Sequence, residues 1–390
     1  MSEWKEIKLG ELLNVITKGT TPPKGIGFVD KGINYVKSDA IGYDRKLDKT
    51  KIAHINEETH QSFKRSQLAE NDILFSMAGI YLGKNAIVTK DILPANTNQA
   101  LAILRLNQEK ANPTYVSLYL SQQVMIDYVN NMSGQSAQPN VNFEEIKSIE
   151  IKLPPISEQT AIASVLSSLD DKIDLLHRQN ATLEKMAETL FRQWFVEEAK
   201  EEWKEGVLSD EFDFTMGQSP SGSSFNEEGI GIPMYQGNAD FGFRFPERRV
   251  FTTDPQRFAQ KYDTLVSVRA PVGDQNMANE KCCIGRGVAA FRYRKNNEFY
   301  SYTYFKLKSL MDGIKQFNET GTVFGSIGKS DFENLNITIP PIEITDKFQK
   351  NVKPIDDKII TNVNQIRTLS TMRDTLLPKL MSGEIRIKMN

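Results

Sequence analysis

The stretch that decides the fold is LPPISEQTAIASVLSSLDDKIDLLHRQNATLEKMAETLFRQWF, from Leu153 to Phe195. Pro154 and Pro155 end the alternating run IEIKL, and Ser157, Glu158 and Gln159 behind them read as a helix start. Leu166, Leu169, Ile173, Leu176, Asn180, Leu183, Ala187, Leu190 and Trp194 then recur at strict three- and four-residue spacing. That is a coiled-coil seam sustained over four heptads. A helix over 157–198 would be about 60 Å long at about 1.5 Å per residue, the dimension of a spacer.

The same stretch returns near the other end of the chain. IEIKLPPI at 149–156 matches LNITIPPI at 335–342, and Asp170-Asp171-Lys172-Ile173 falls on Asp356-Asp357-Lys358-Ile359 at the same offset of 186. The seam is carried over as Val352, Ile355, Ile359, Asn362, Ile366, Leu369, Arg373, Leu376 and Leu380. Looser matches precede it: Trp4-Lys5-Glu6 with Trp203-Lys204-Glu205, and Asn71–Ser76 with Tyr262–Ser267, at offsets of 199 and 191. Drifting offsets mean insertions in the first part of each repeat and none in the second. The expected organisation is a globular domain over 1–153, a long helix over 154–200, a second globular domain over 201–339 and a second helix over 340–390.

Either seam alone suits an amphipathic helix packed on its own domain. Two seams in fixed register favour packing against each other. Segment 154–203 holds five basic and ten acidic residues and segment 340–390 nine and six, so the pair is charge-complementary. Exposed pairs contribute only about 0–1 kcal/mol each, so charge sets pairing more than stability. Asn180 and Asn362 interrupt the seams, one per helix. They are expected to lie near each other in an antiparallel pair, fixing register at some cost in stability.

The globular segments hold extended runs at Asn71–Met77, Ala100–Leu106, Ile146–Leu153, Thr264–Val268, Gly287–Tyr293 and Leu335–Ile339, and helical patterns at Pro113–Asn130 and Asn297–Gly313. The fold class expected is α+β: two similar mixed domains and two long helices, an internal pseudo-repeat. The chain of 390 residues carries 48 Lys+Arg and 50 Asp+Glu, a net charge of -2. That composition excludes bulk disorder, and the near-neutral charge argues against a strongly basic nucleic-acid binder, though an average over the chain leaves the point open. No stretch approaches the ~18 apolar residues of a membrane span, and no secretory signal opens the chain. The adjacent Cys282 and Cys283 supply neither a disulfide framework nor metal-ligand spacing. A cytoplasmic protein is the expectation.

No catalytic constellation emerges. His54, His60 and His177 stand apart from cysteines and clustered acids and read as surface histidines. Gly325-Ser326-Ile327-Gly328-Lys329-Ser330 resembles the end of a phosphate-binding loop, but Val323 stands where its leading glycine belongs. Asn112-Pro113-Thr114-Tyr115 resembles a methyltransferase motif with threonine in place of the second proline, and Pro113 reads better as a helix opener. Glu145-x-Lys147 and Glu150-x-Lys152 resemble a nuclease pair, but the triplet is common and lies on a run read as a strand. No metal site is expected.

What remains is polar loops. Arg and Lys pair with guanine edges or phosphates, Asn and Gln with adenine, Ser and Thr with either. The candidates are Lys18, Thr20, Thr21, Lys24, Asn96, Asn98, Gln99, Ser133, Gln135 and Gln138 in the first half. In the second half they are Gln218, Ser219, Gln236, Asn238, Arg269, Arg286, Thr322, Ser326 and Lys329.

Together these features resemble the specificity subunit of type I restriction-modification systems. The resemblance spans essentially the whole chain. It rests on 153–195, on LLPKLMSGEIRI at 376–387, on the opening Trp4, Lys5, Leu9, Gly10 and Glu11, and on the turns Gly19-Thr20-Thr21-Pro22 and Gly217-Gln218-Ser219-Pro220. The second helix starts IPPIEITDKFQKNV, without the Ser-Glu-Gln of the first copy. The resemblance implies two target-recognition domains, each reading half of a bipartite double-stranded DNA target, on antiparallel helices that fix the spacing. It also implies docking of two methyltransferase subunits and, through them, restriction (motor-nuclease) subunits. S-adenosylmethionine, ATP and Mg would then belong to those partners, leaving this chain without a cofactor or catalytic residues in a restriction endonuclease and adenine methyltransferase holoenzyme. The rival reading is a coiled-coil scaffold whose end domains bind protein or carbohydrate.

Overall fold

The computed structural model describes residues 4–23, 27–132, 139–319 and 326–388. Contacts divide the chain into Met1–Leu175 with Gln365–Asn390, and Leu176–Asn364.

The first unit opens with strands β1 (Lys5–Lys8), β2 (Leu13–Lys18), β3 (Phe28–Val29), β4 (Ile33–Val36) and β5 (Ala53–Ile55), then helix α1 (Glu57–Ser62). Strands β6 (Ile73–Ser76), β7 (Asn85–Ile87), β8 (Ala95–Thr97) and β9 (Leu101–Leu106) follow. Helices α2 (Pro113–Leu120), α3 (Gln123–Met132) and α4 (Phe143–Ser148) lead to β10 (Glu150–Leu153) and the long helix α5 (Ile156–Arg192). One sheet has the order β2-β9-β6-β7, a second β3-β5-β4-β8, and β1 pairs with β10.

The second unit repeats the plan. It contains β11 (Lys204–Val207), α6 (Leu208–Glu211), β12 (Phe212–Met216), β13 (Phe225–Asn226), β14 (Ile232–Tyr235) and β15 (Val250–Thr252). Next come β16 (Phe258–Ala259), β17 (Thr264–Ser267), β18 (Gln275–Met277), β19 (Cys282–Ile284) and β20 (Val288–Tyr293). Helices α7 (Tyr300–Glu319) and α8 (Lys329–Glu333), strand β21 (Asn336–Ile339) and helix α9 (Ile342–Ser382) complete the elements. The sheet orders are β12-β20-β17-β18, β13-β15-β14-β19-β16 and β11-β21. Only β16 lacks a counterpart among the described strands. The mixed α+β repeat with two long helices is therefore present.

Small details repeat as well. Asp72, just before β6, takes two hydrogen bonds of 2.7 Å from Arg105 of β9. Asp263, just before β17, takes two of 3.0 and 2.6 Å from Arg292 of β20. The residue ahead of each aspartate, Asn71 or Tyr262, adopts a left-handed backbone with φ of 69° and 71°. Asparagine tolerates this better than tyrosine, and Tyr262 is held by stacking on Tyr300 at 4.6 Å between centroids.

Each helix contributes to both units. In the first, α5 supplies Ile162, Ala163 and Leu166 and α9 supplies Leu380 and Met381 to one buried cluster with Leu9, Phe75 and Tyr115. In the second, Ala187 and Phe191 of α5 and Phe348 and Val352 of α9 join Phe212, Phe291 and Tyr302. Within each unit the two helices run antiparallel. In the first, Asp170 meets Arg373 at 3.1 Å, and Glu158 near the start of α5 meets Arg386, just past the end of α9, at 2.5 Å. Asn180 meets Asn362 at 2.9 Å, and the Phe191 ring lies 5.7 Å from that of Phe348, in the second. Of the seam, Leu166, Ile173, Leu176, Asn180, Ala187, Val352, Ile359, Asn362 and Leu380 are buried. Leu169, Leu183, Leu190, Trp194, Ile355, Ile366, Leu369 and Leu376 are half-buried. The Ser-Glu-Gln start does more than open a helix. Gln159 is buried, accepting from the Asn112 amide at 2.8 Å and donating to the Pro154 carbonyl at 2.9 Å.

Two local expectations are corrected. Ile146–Leu153 is not one extended run: α4 occupies Phe143–Ser148, and the strand begins at Glu150. The cause is a capping box, in which Asn142 accepts from the Glu145 amide at 3.0 Å and Glu145 accepts from the Asn142 amide at 2.7 Å. Glu145 and Lys147 thus lie on a helix, not a strand. The pattern over Pro113–Asn130 is two helices, broken at Ser121 and Gln122.

Candidate nucleic-acid interface

In each unit, one turn is pinned by main-chain bonds to its neighbours. In the first, β2 ends at Gly19, whose amide donates to the Leu101 carbonyl at 3.1 Å, and the Thr20 amide donates to the Thr97 carbonyl at 3.0 Å. In the second, β12 leads to Gly217, whose amide donates to Val288 at 2.9 Å, and Gln218 donates to Ile284 at 3.0 Å. A Cβ at Gly19 would overlap the Asn98 carbonyl, and one at Gly217 the Gly285 carbonyl. Only glycine allows this approach, which accounts for both Gly-x-x-Pro turns.

The turns so pinned are Asn98-Gln99-Ala100 and Gly285-Arg286-Gly287. Each closes on itself, Leu101 amide to Asn98 carbonyl at 3.2 Å and Val288 amide to Gly285 carbonyl at 3.0 Å. The third residue of each accepts from the chain beyond the neighbouring strand: Met77 to Ala100 and Val268 to Gly287, both 2.9 Å. The first donates to the second sheet, Asn98 to Val36 at 3.2 Å and Gly285 to Tyr235 at 2.8 Å. The middle amide meets a hydroxyl, Gln99 to Thr21 Oγ1 at 3.5 Å and Arg286 to Ser219 Oγ at 3.3 Å. Isolated bridges pair one more residue with each edge, Ala78 with Asn140 and Arg269 with Ser326.

Lys18, Thr20, Thr21, Asn98 and Gln99 therefore converge on one edge of the first unit. Lys18 and Gln99 line a cleft of about 520 Å³ with Met77, Asn140 and Phe143. Beneath it Tyr35 donates to the Thr20 carbonyl at 2.9 Å, and burial raises its phenol pKa while a Thr21 hydrogen bond offsets part of the rise. Gln218, Ser219, Arg269, Arg286 and Ser326 converge on the matching edge of the second unit. Gln236 packs its backbone against Gly285 and Gly287 there. Gln99, Arg269 and Arg286 are exposed. Asn238 stands aside, donating to Asp274 at 3.2 Å, and Lys329 is paired with Glu333 at 3.1 Å.

Asn96 is a correction. It is fully buried and donates to the Phe63 carbonyl at 3.2 Å and to Ser66 Oγ at 2.9 Å, while its oxygen meets His60 Nδ1. It braces the sheet and cannot reach a base edge. His60, read as a surface histidine, is part of that brace. Lys24, Ser133, Gln135, Gln138 and Thr322 lie outside the described residues. Arg65 and Asn140 join the first edge without having been singled out. Arg65 is exposed and its Nε donates to Thr20 Oγ1 at 3.3 Å, a contact between residues 45 apart that no local pattern announces.

In each unit an arginine ties the globular part to the repeated DDKI aspartate. Arg45 donates to Asp170 at 2.5 Å, and Asp170 also takes Arg373. Arg244 is fully buried, donates to Asp356 at 3.0 Å and to Glu184, and lies 4.0 Å over the Tyr304 ring. Among the described residues no cluster of three or more His, Cys, Asp or Glu is arranged to hold a metal ion. No helix among them is long and apolar enough to cross a membrane.

Comparison with known proteins follows the repeat. The family described as type I restriction modification DNA specificity domain matches twice, over residues 1–185 and 200–369. A protein of Methanocaldococcus jannaschii named "Putative type I restriction enzyme MjaX specificity subunit" is 31% identical, over 99% of this chain and 94% of its own. The HindI specificity subunit of Haemophilus influenzae is 22% identical over 99% of this chain and all of its own length. Among solved structures, the S subunit of a type I restriction-modification system from M. genitalium matches with a TM-score of 0.65 and 18% identity, over 99% of this chain and 97% of that one. At that identity it speaks for the fold alone.

Proposed function

The chain belongs to the type I restriction-modification DNA specificity family, and from that membership we propose that it is the DNA-reading subunit of a type I complex, each unit reading one half of a bipartite target. The observation that carries this is the duplicated edge: one backbone framework, built twice, presenting different polar side chains. Base-edge contacts by such side chains specify sequence, and amides and exposed cations position the duplex. The scaffold alternative draws no support from a specific feature of either edge.

The partners in this reading are two methyltransferase subunits, with restriction subunits joined through them. They carry S-adenosylmethionine transfer, ATP-driven movement and Mg-dependent cleavage, and this chain carries none of that chemistry. The helix pair sets the unread spacer between half-sites and offers a docking surface. Methylation mapping in cells that express the chain with its methyltransferase tests the reading. Inserting one heptad into both helices adds about 10 Å of helix, equivalent to about three base pairs, and lengthens the spacer while both half-site sequences stay the same. An unchanged spacer in a methylating complex would sink it.

A further inference from the structure

We infer that Gln99 and Arg286 are equivalent base-reading positions, Gln99 selecting an adenine in one half-site and Arg286 a guanine in the other. The inference deepens the proposed function and rests on it. Main-chain bonds put the two residues in register one by one: Gly19 with Gly217, Thr21 with Ser219, Asn98 with Gly285, Ala100 with Gly287, Leu101 with Val288. Gln99 and Arg286 are then the middle residues of the same three-residue turn. Both are exposed, and neither side chain has a hydrogen-bond or ionic partner among the described residues. The framework is held by backbone and by a Thr or Ser hydroxyl that meets the amide of the middle residue, so that side chain is left to face outward.

What differs between the units is the chemistry at this point. A glutamine amide offers one donor and one acceptor, the complement of adenine N7 and N6. A guanidinium offers two parallel donors, the complement of guanine O6 and N7. Each unit thus places a bidentate side chain of different base preference on the same support. A shape-only or phosphate-only role would not call for this pairing of chemistries. Arg269 and Lys18, also exposed beside the two turns, supply the positioning charge.

The test uses the full chain with its methyltransferase, mapping methylated sites for wild type, Arg286→Gln, Arg286→Lys and Gln99→Arg. Arg286→Gln is expected to relax or switch the preference at one G·C pair in the half-site read by residues 201–339. Discrimination at that pair should fall by about ten-fold or more, with the other half-site unchanged. Gln99→Arg should change a single A·T pair in the other half. Arg286→Lys keeps the charge but loses the fork, and should lose discrimination at the same pair as Arg286→Gln. Unchanged melting and methyltransferase assembly check that the variants fold. Three results would overturn the inference: an unaltered preference at every base; a uniform loss across all sites with a shallower salt dependence, which marks a phosphate contact; or Lys restoring full selectivity. A wild-type complex without a bipartite preference would refute the functional reading and this inference with it.

Discussion

Asn362 donates to Asn180 at 2.9 Å across the helix pair of the second unit, and both side chains are buried. Asn180 Nδ2 and Asn362 Oδ1 have no hydrogen-bond partner among the described residues, so this is a half-satisfied pair. Removing one member leaves a buried amide without its partner, at about 1–3 kcal/mol. Asn362→Leu and Asn180→Leu should each destabilise by that order, and the double variant should recover most of the loss. Urea unfolding of the four proteins measures the coupling. Simple additivity of the two singles would contradict the pairing.

The two arginine–aspartate ties should differ in cost. Arg244 is wholly buried between Glu184 and Asp356; Arg244→Met leaves Glu184 with Lys308 at 3.6 Å but strands the buried Asp356, about 3–5 kcal/mol by the behaviour of broken buried pairs. Arg45→Met leaves Asp170 with Arg373, and should cost less, about 1–3 kcal/mol. Thermal or urea unfolding gives both values. Equal losses would mean that the surviving Arg373 contact contributes nothing.

Burial pushes the Glu211 carboxyl up to about 7, against the pull of Lys306 and of the Tyr302 hydroxyl 2.8 Å away. A carboxyl raised in the folded state holds its proton more tightly there than in the unfolded chain. Its contribution is complete below the ordinary value near 4.5 and is lost as pH rises towards 7. At about 1.4 kcal/mol per unit, the loss across that window is at most about 3 kcal/mol. Glu211→Gln should flatten the decline in melting temperature between these pH values. An identical pH profile for the variant would refute the assignment.

DNA affinity of the isolated chain should be weak. Its net charge is -2, and residues 1–153 and 204–339 are each near charge balance. Counterion release scales with the phosphates neutralised, and few cations are offered. Titration of a target duplex at two salt concentrations, with and without methyltransferase, should show tight binding only with the partner. Nanomolar binding by the chain alone would contradict this.

The long helices were legible because a buried stripe must recur at the helical period, and Asn180 and Asn362 stood out as the polar breaks in it. The Gly19 and Gly217 turns were legible as well, since a glycine that must admit a neighbouring carbonyl admits no other residue. Burial set by distant segments was not legible. Asn96 resembles any loop asparagine until α1 and the turn after it close over it. Arg45 and Arg244 look like ordinary loop cations, and only the folded chain brings them to aspartates 125 and 112 residues away. The Asn142–Glu145 box was visible in the sequence, but the alternating IEIKL that follows it dominated the reading of that segment.

The turns carrying Gln99 and Arg286 are fastened through main-chain atoms and a hydroxyl of the facing turn, with no part played by the two tip side chains. Mutation at the tip therefore leaves the fastening intact, and folding places little constraint on what the tip says. On the proposed reading, a lineage carrying this fold can alter one half of its target by a single codon change without passing through an unstable ancestor, while the other half is read as before.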